Sequence, residues 1–240
     1  MKTVHFKNPK YVGDPINAVR IFNEKEVDEL VLLDIGATPA GRSPNLKEIA
    51  HVAGECFMPL AYGGGIRDLE QIKLILNLGV EKVILNSAAC ANPDLIAQAA
   101  REVGSQSVVV SIDVKKTLLG KYRVHTHSGR RSTGLDPVDF ARLMETKGAG
   151  ELIIHSIDRD GTLQGYDLEL VQRVAQAVNV PVVACGGAGR LEHLAAAVKA
   201  GAAAVAAGSL FVFYGKHRAV LINYPSPEEL RKTFNGESFR

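Results

Sequence analysis

Short runs of continuous apolar residues alternate along this chain with longer stretches of amphipathic, helical spacing. The runs are ELVLLDI (29–35), MPLAY (58–62), KVILN (82–86), SVVVSID (107–113), ELIIHSI (151–157), PVVAC (181–185) and AAVAAG (203–208). Nearly unbroken apolar character of this kind predicts parallel strands covered on both faces. The stretches between them carry helix punctuation. Asp14 stands where an N-cap is expected, with Pro15 at the first helical position. Leu69, Ile72, Ile75 and Leu76 share one helical face, and Gly79 stops that helix. Asp136 to Gly150 repeats the same grammar. Strand–helix alternation throughout predicts an α/β fold built on a parallel sheet.

Superposed on this pattern is a repeat. AYGGGIRDLE (61–70) and ACGGAGRLEH (184–193) are near copies, and Gly65 and Gly187 stand 122 positions apart (187 − 65). The same separation relates Leu69 to Leu191, Glu70 to Glu192, Gly79 to Gly201 and Ser87 to Ser209. Each half thus carries a strand, a glycine turn, a helix, a second strand and a serine. A two-fold repeated α/β chain of this length predicts a single (β/α)8 TIM-type barrel over residues 1–240, made of two half-barrels. A doubly wound open sheet would not require the symmetry. Only seven barrel strands are found. The repeat partner of the strand ending at Asp113 would precede Met1, so either the true start lies upstream or the barrel lacks its first strand; the expectation is a chain truncated relative to its ancestor.

Composition adds bounds. The hydrophobic content of 46% supplies a sizeable core. With 28 basic and 26 acidic residues, no strong field directs the chain to nucleic acid or to a membrane, and no apolar run is long enough to span one. The N-terminus lacks the apolar core of a signal peptide, and three cysteines without a CxxC pair suit a reducing compartment; the expectation is a cytoplasmic protein. No HExxH or Cys/His cluster points to a metal, and no cofactor is called for.

The glycine turns follow strands, so both fall on the C-terminal face, where barrels of this kind carry their sites. Glycine admits close backbone approach to a ligand, or serves only to make a tight turn. On the first reading each half holds one phosphate: Gly64, Gly65, Asn86 and Ser87 in one, Gly186, Gly187, Gly208 and Ser209 in the other. The ligand would then be a bis-phosphorylated small molecule. Acid–base candidates on that face are Asp113, Asp34, Asp158 and Asp160, each alternatively a cap or a structural ion pair, with His155 as a further titratable group. Cys185 lies beside the second turn without a nearby base in sequence. The long basic segment 115–137 either closes over a phosphorylated substrate, with Ser128 or Thr133 as hydroxyl donors, or is a solvated hairpin. At the opposite face, Glu29, Lys82 and Glu151 begin three strands. They form either a salt-bridged ring or scattered surface charges.

The motifs LDIGAT, YGGGIR, NSAA, SIDVKK, THSGRRSTG, SIDRDGTLQGYD, ACGGAG and AAGSLF resemble the cyclase subunit of imidazole glycerol phosphate synthase, over about Lys2 to Phe213. SIDRDGTLQGYD with SGRRSTG is similar to this cyclase rather than to its sister barrel, the histidine-pathway isomerase. The resemblance implies a lyase that makes imidazole glycerol phosphate and an aminoimidazole carboxamide ribotide from a bis-phosphorylated formimino ribulosyl substrate. Its ammonia would come from a glutaminase subunit docked at the barrel bottom, forming a heterodimer. It implies Asp113 as the acid–base aspartate, Asp160 as its support, Gly161 as a phosphate-side glycine and Lys2 as the lysine of a mobile loop. Glu29, Lys82 and Glu151 match three of the four residues of the family's charged ammonia gate. The family's first-strand aspartate and its gate arginine have no counterpart, His155 replaces a threonine and Cys185 a serine. Residues 2–30 and the tail FVFYGKHRAVLINYP look more like paralogues of surface-polysaccharide (lipopolysaccharide) gene sets. That likeness implies delivery of ammonia for amidination of an acetamido sugar, with a sugar amidotransferase as a further partner.

Overall fold

The computed structural model describes residues 2–215 and 217–235, with the side chains of Lys2 and Asn8 outside that description. The chain opens with a hairpin, β1 (Lys2–Val4) and β2 (Lys7–Lys10), then runs α1 (Pro15–Glu24), β3 (Leu30–Leu33), α2 (Leu46–Glu55), β4 (Leu60–Gly63), α3 (Leu69–Asn77) and β5 (Lys82–Leu85). Next come α4 (Ser87–Ala91), α5 (Asp94–Val103), β6 (Val108–Lys116), β7 (Tyr122–Thr126), β8 (Arg131–Ser132), α6 (Pro137–Thr146) and β9 (Glu151–Ser156). The rest is α7 (Leu168–Ala175), β10 (Val182–Cys185), α8 (Leu191–Lys199), β11 (Ala204–Ala206), α9 (Ser209–Val212), β12 (Phe213–Tyr214), β13 (Ala219–Val220) and α10 (Pro227–Asn235).

All seven apolar runs are strands of one sheet, in chain order β3-β4-β5-β6-β9-β10-β11, every neighbour parallel. This is a TIM-type (β/α)8 barrel for which the described residues supply seven parallel strands. The half-barrel repeat is geometric as well as textual. Helices α3 and α8 begin and end at equivalent positions, and α4 and α9 both start at the paired serines. Gly65 and Gly187 both take positive φ, +74° and +112°. Alternation along each strand sorts the side chains into two sets. Val83, Leu85, Val108, Val110, Ile112, Leu152 and Ile154 face the helices and form the main core. Ala61, Ile84, Val109, Ile153 and Val183 point the other way and meet inside the barrel, joined by Cys185 and Ala206. Strands β3 and β11 end the sheet among the described residues. On the β3 side Val31, Leu33 and Ile35 are 37%, 41% and 43% exposed for that reason.

The helix ends follow the local chemistry. Asp14 accepts from the Ile16 and Asn17 amides at the start of α1, and Asp136 accepts from Val138 at the start of α6. Segment 115–137 forms a hairpin: β7 folds back antiparallel on β6, and β8 on β7. Among the described residues no helix is long and apolar enough to cross a membrane.

Candidate active site

Strand β6 exceeds its neighbours in length because, beyond its pairing with β9 over Val109–Val114, it continues to Lys116 paired with β7; Val108–Val114 is buried. Its inner-face residues are Val109, Ser111 and Asp113. Strand register sets Asp113 opposite His155 of β9, and His155 opposite Cys185 of β10, so three polar groups form one row across three strands. Asp113 is only 8% exposed, and Asp160, one turn beyond β9, only 7%. The Ser111 hydroxyl donates to Asp113 Oδ1 at 2.9 Å. His155 Nδ1 lies 4.0 Å from Asp113 Oδ1, and Nε2 lies 3.5 Å from Asp160 Oδ1, ion-pair separations without hydrogen-bond alignment at Nε2. Burial pushes the Asp113 carboxyl above the usual carboxylate range; His155 and the Ser111 bond pull against that shift, and Asp160 adds to it. A carboxyl raised in this way is suited to exchange protons near neutral pH.

The N-terminal hairpin covers this row. Its two-residue turn places His5 and Phe6 in the left-handed region, φ 51° and 58°, as tight hairpins require and non-glycine residues resist. Contacts hold it there. The Thr3 hydroxyl donates to Asp160 Oδ2 at 2.8 Å, the His5 amide to Asp160 O at 3.0 Å, and Phe6 packs edge-on to His155 with ring centroids 4.7 Å apart. Gly161 admits the strand: at φ +71°, a methyl group there would collide with the Thr3 carbonyl. Lys2 heads β1, and its side chain lies outside the described residues.

The glycine turns serve backbone approach first. A methyl on Gly64 would strike the Asp34 carbonyl, one on Gly187 the Gly165 carbonyl, and one on Gly186 would come within 2.7 Å of Ser156 O. Gly208 is different; its φ is −115°. In the first half, Asn86 Nδ2 donates to Ser111 O (3.0 Å) and His125 O (3.2 Å), and Ser87 Oγ donates to Asn86 Oδ1 and accepts from the His127 amide. In the second half Ser209 Oγ is buried and has no hydrogen-bond partner among the described residues. Such a hydroxyl costs about 1–3 kcal/mol unless something satisfies it. The repeated halves are thus alike in backbone and unlike in satisfaction.

Several predicted groups have structural duties. Asp34 accepts from the Gly36 and Ala37 amides, both at 3.0 Å, and pairs with Arg42 at 3.5 Å, a loop cap. Asp158 accepts from the Lys116 amide at 2.8 Å. Ser128 Oγ donates to Ile35 O at 2.7 Å, tying the hairpin to the end of β3, and Thr133 donates to Val124 O. Tyr122 OH, donating to Asp167 at 2.8 Å, pins the hairpin to the start of α7. Burial pushes the Cys90 thiol up to about 12, which makes it inert. No group of His, Cys, Asp and Glu able to hold a metal occurs among the described residues.

At the other mouth the three strand-initial charges do converge. Lys82 Nζ lies 2.8 Å from Glu29 Oε2 and 3.0 Å from Glu151 Oε2. Burial alone would lower the lysine's pKa, but the two carboxylates outweigh it and raise it. Ser111, Thr3 and Phe6 were not legible as site residues. Ser111 could have been found from the two-residue period leading back from Asp113; Thr3 and Phe6 carry no such signal.

A parallel barrel with a buried carboxylate–imidazole–carboxylate group at one mouth and an ion-paired lysine at the other belongs to the TIM-barrel proteins with two polar ends to one lumen. Within that class, residues 1–218 match the family described as histidine biosynthesis proteins, and the chain belongs to this family, on its HisF branch. Three relatives carry the provisional name of imidazole glycerol phosphate synthase subunit. The Pseudomonas aeruginosa protein, hisF2, is 54% identical over 231 residues, 96% of this chain and 92% of its own. The Leptospira interrogans protein, HisF, is 50% identical over 236 residues (98% and 93%). The Vibrio vulnificus protein, hisF3, is 51% identical over 234 (97% and 90%).

Proposed function

We propose that this chain is the cyclase subunit of an enzyme of the imidazole glycerol phosphate synthase type. A glutaminase subunit docks at the N-terminal mouth, and its ammonia enters past Glu29, Lys82 and Glu151. The substrate is a bis-phosphorylated ribulosyl compound lying across the C-terminal face. One phosphate sits at Gly64, Gly65, Asn86 and Ser87, the other at Gly186, Gly187, Gly208 and Ser209, with Gly161, Ser128 and Lys2 around them. Ammonia adds to the ribulosyl carbonyl, Asp113 as carboxylate taking a proton from the attacking nitrogen and returning it to the oxygen that leaves as water. The nitrogen then closes the ring at the formimino carbon, whose bond to the carboxamide ribotide amine breaks, and Asp160 supports Asp113. The products are imidazole glycerol phosphate and aminoimidazole carboxamide ribotide.

The observation that carries this reading is the pairing of ends: Lys82 bridges two carboxylates at the entry of the lumen whose far end holds buried Asp113. Ser209, buried and without a hydrogen-bond partner among the described residues, supports an anion in the second half. The test is turnover of the bis-phosphate by the purified chain, first with an ammonium salt and then with glutamine and a glutaminase subunit. Both should support product formation, and Asp113→Asn should lower kcat by about 10²–10⁴-fold. Absence of ammonium-driven turnover overturns it.

The ion-paired Glu29–Lys82–Glu151 trio, beside a sheet whose described residues supply no first-strand aspartate, favours a second reading. There the barrel passes glutaminase-derived ammonia to a separate amidotransferase acting on an acetamido sugar in surface-polysaccharide synthesis. Binding and stimulation of a glutaminase without cyclisation would support this reading.

A further inference from the structure

Along β9 the inner-face residues are Glu151, Ile153 and His155, so one strand carries an entry carboxylate, a lumen plug and an imidazole. The imidazole is held on every side. Asp113 faces it from β6, Asp160 from the loop after β9 and Cys185 from β10. Phe6 lies edge-on to the ring, with His5 beside it anchored to Ile157 O through Nδ1 at 3.3 Å. Behind the ring, Gly186 at φ +91° leaves only enough room: a methyl there would stand 3.0 Å from His155 Cδ2. His125 of β7, paired in register with Asp113, is the remaining titratable neighbour of that carboxylate.

Two carboxylates so deeply buried and so close to one ring would, without a cation, drive one of them to bind a proton. We propose that His155 is a positioning residue: its charged imidazole, clamped between Asp113 and Asp160, keeps Asp113 ionised and fixed in place. The clamp stands on geometry; its catalytic consequence rests on the assignment of Asp113 as proton carrier made above. Burial alone favours the neutral ring, but Cys185, Asp160 and Asp113 outweigh it and hold His155 well above the usual imidazole range. The sign follows. A raised value means that the cation is present at and below neutral pH and is lost only as pH climbs through the raised value.

The test is a histidine ¹⁵N NMR titration of the full chain, paired with the pH profile of ammonium-driven turnover. In the titration His155 should remain doubly protonated well above the ordinary imidazole midpoint, and Asp113→Asn or Asp160→Asn should each lower the His155 midpoint. A wild-type midpoint at or below the ordinary value of about 6.5 overturns the clamp. In the kinetic arm, His155→Thr and His155→Gln should move the acid limb of kcat to higher pH by about one unit, a tenfold change in proton affinity, with KM for the bis-phosphate little altered. An unmoved limb in both variants overturns it as well. The titration needs no turnover. A chain that shows the imidazolium yet makes no product keeps the clamp and loses the cyclase reading, and the reverse result does the opposite.

Discussion

Gly79 and Gly187 both adopt φ near +100°, yet they answer to different constraints. Gly79, at +95°, has its nearest would-be neighbour 3.9 Å from an added methyl group, so only the backbone conformation demands glycine. Gly187, at +112°, is packed against the Gly165 carbonyl, and a methyl there has nowhere to go. Gly79→Ala should therefore cost about 1 kcal/mol, the left-handed penalty alone. Gly187→Ala should cost more, by about 1–3 kcal/mol for local rearrangement. Urea unfolding of the two variants checks this, and equal losses would mean that the contact carries no weight. Positive φ alone does not separate the residue that makes a turn from the one that lets two loops touch.

At the scale of elements the paired helices share their length but not their first turn. Asp68 caps α3 by accepting from the Gln71 amide at 2.9 Å. Its counterpart Arg190 makes no side-chain cap bond at the start of α8, whereas a second bond is kept in both halves: the Arg67 amide donates to Gln71 Oε1 at 2.8 Å, and the Gly189 amide to His193 Nδ1 at 3.2 Å. Asp68→Ala should lower stability by about 1 kcal/mol, whereas Arg190→Ala should fall within the ±0.5 kcal/mol typical of surface changes. The measurement is again the denaturation midpoint. Duplication has preserved where each helix starts and ends and the bond to the amide just before it, with Gln71 in one half and His193 in the other as acceptor, while the N-cap side-chain bond is kept only at Asp68.

For the whole molecule, the lumen has an ionic lower layer of Glu29, Lys82 and Glu151, an apolar middle of Ala61, Ile84, Val109, Ile153 and Val183, and a polar top. Lys82→Met would leave two carboxylates converging on one point without a cation, a loss of about 1–3 kcal/mol. Because the folded pKa of Lys82 is raised, its contribution is complete below the unfolded lysine value of about 10.4 and disappears as pH rises through the folded one. The stability difference between wild type and Lys82→Met should therefore be flat from about pH 6 to 9 and shrink in more alkaline solution. If the trio is an ammonia entry, the same variant should lose glutaminase-driven turnover while ammonium-driven turnover persists.

The linear sequence determined the seven parallel strands and their order, the caps at Asp14 and Asp136, and the matched glycine turns. These depend on hydrophobic period and on residues within a turn of one another. It also put Glu29, Lys82 and Glu151 at strand starts, where a closed sheet must bring them near the axis. Whether they paired, or stayed scattered, was a question of strand register. Only the tertiary structure decided that Thr3 reaches Asp160 and Phe6 reaches His155 from the far end of the chain, and that Ser128 fastens the hairpin to β3. Those contacts join residues scores of positions apart, and no local period records them. They exist because the barrel's curvature carries remote loops to the same rim, where each buried polar group takes whichever partner the packing leaves within reach.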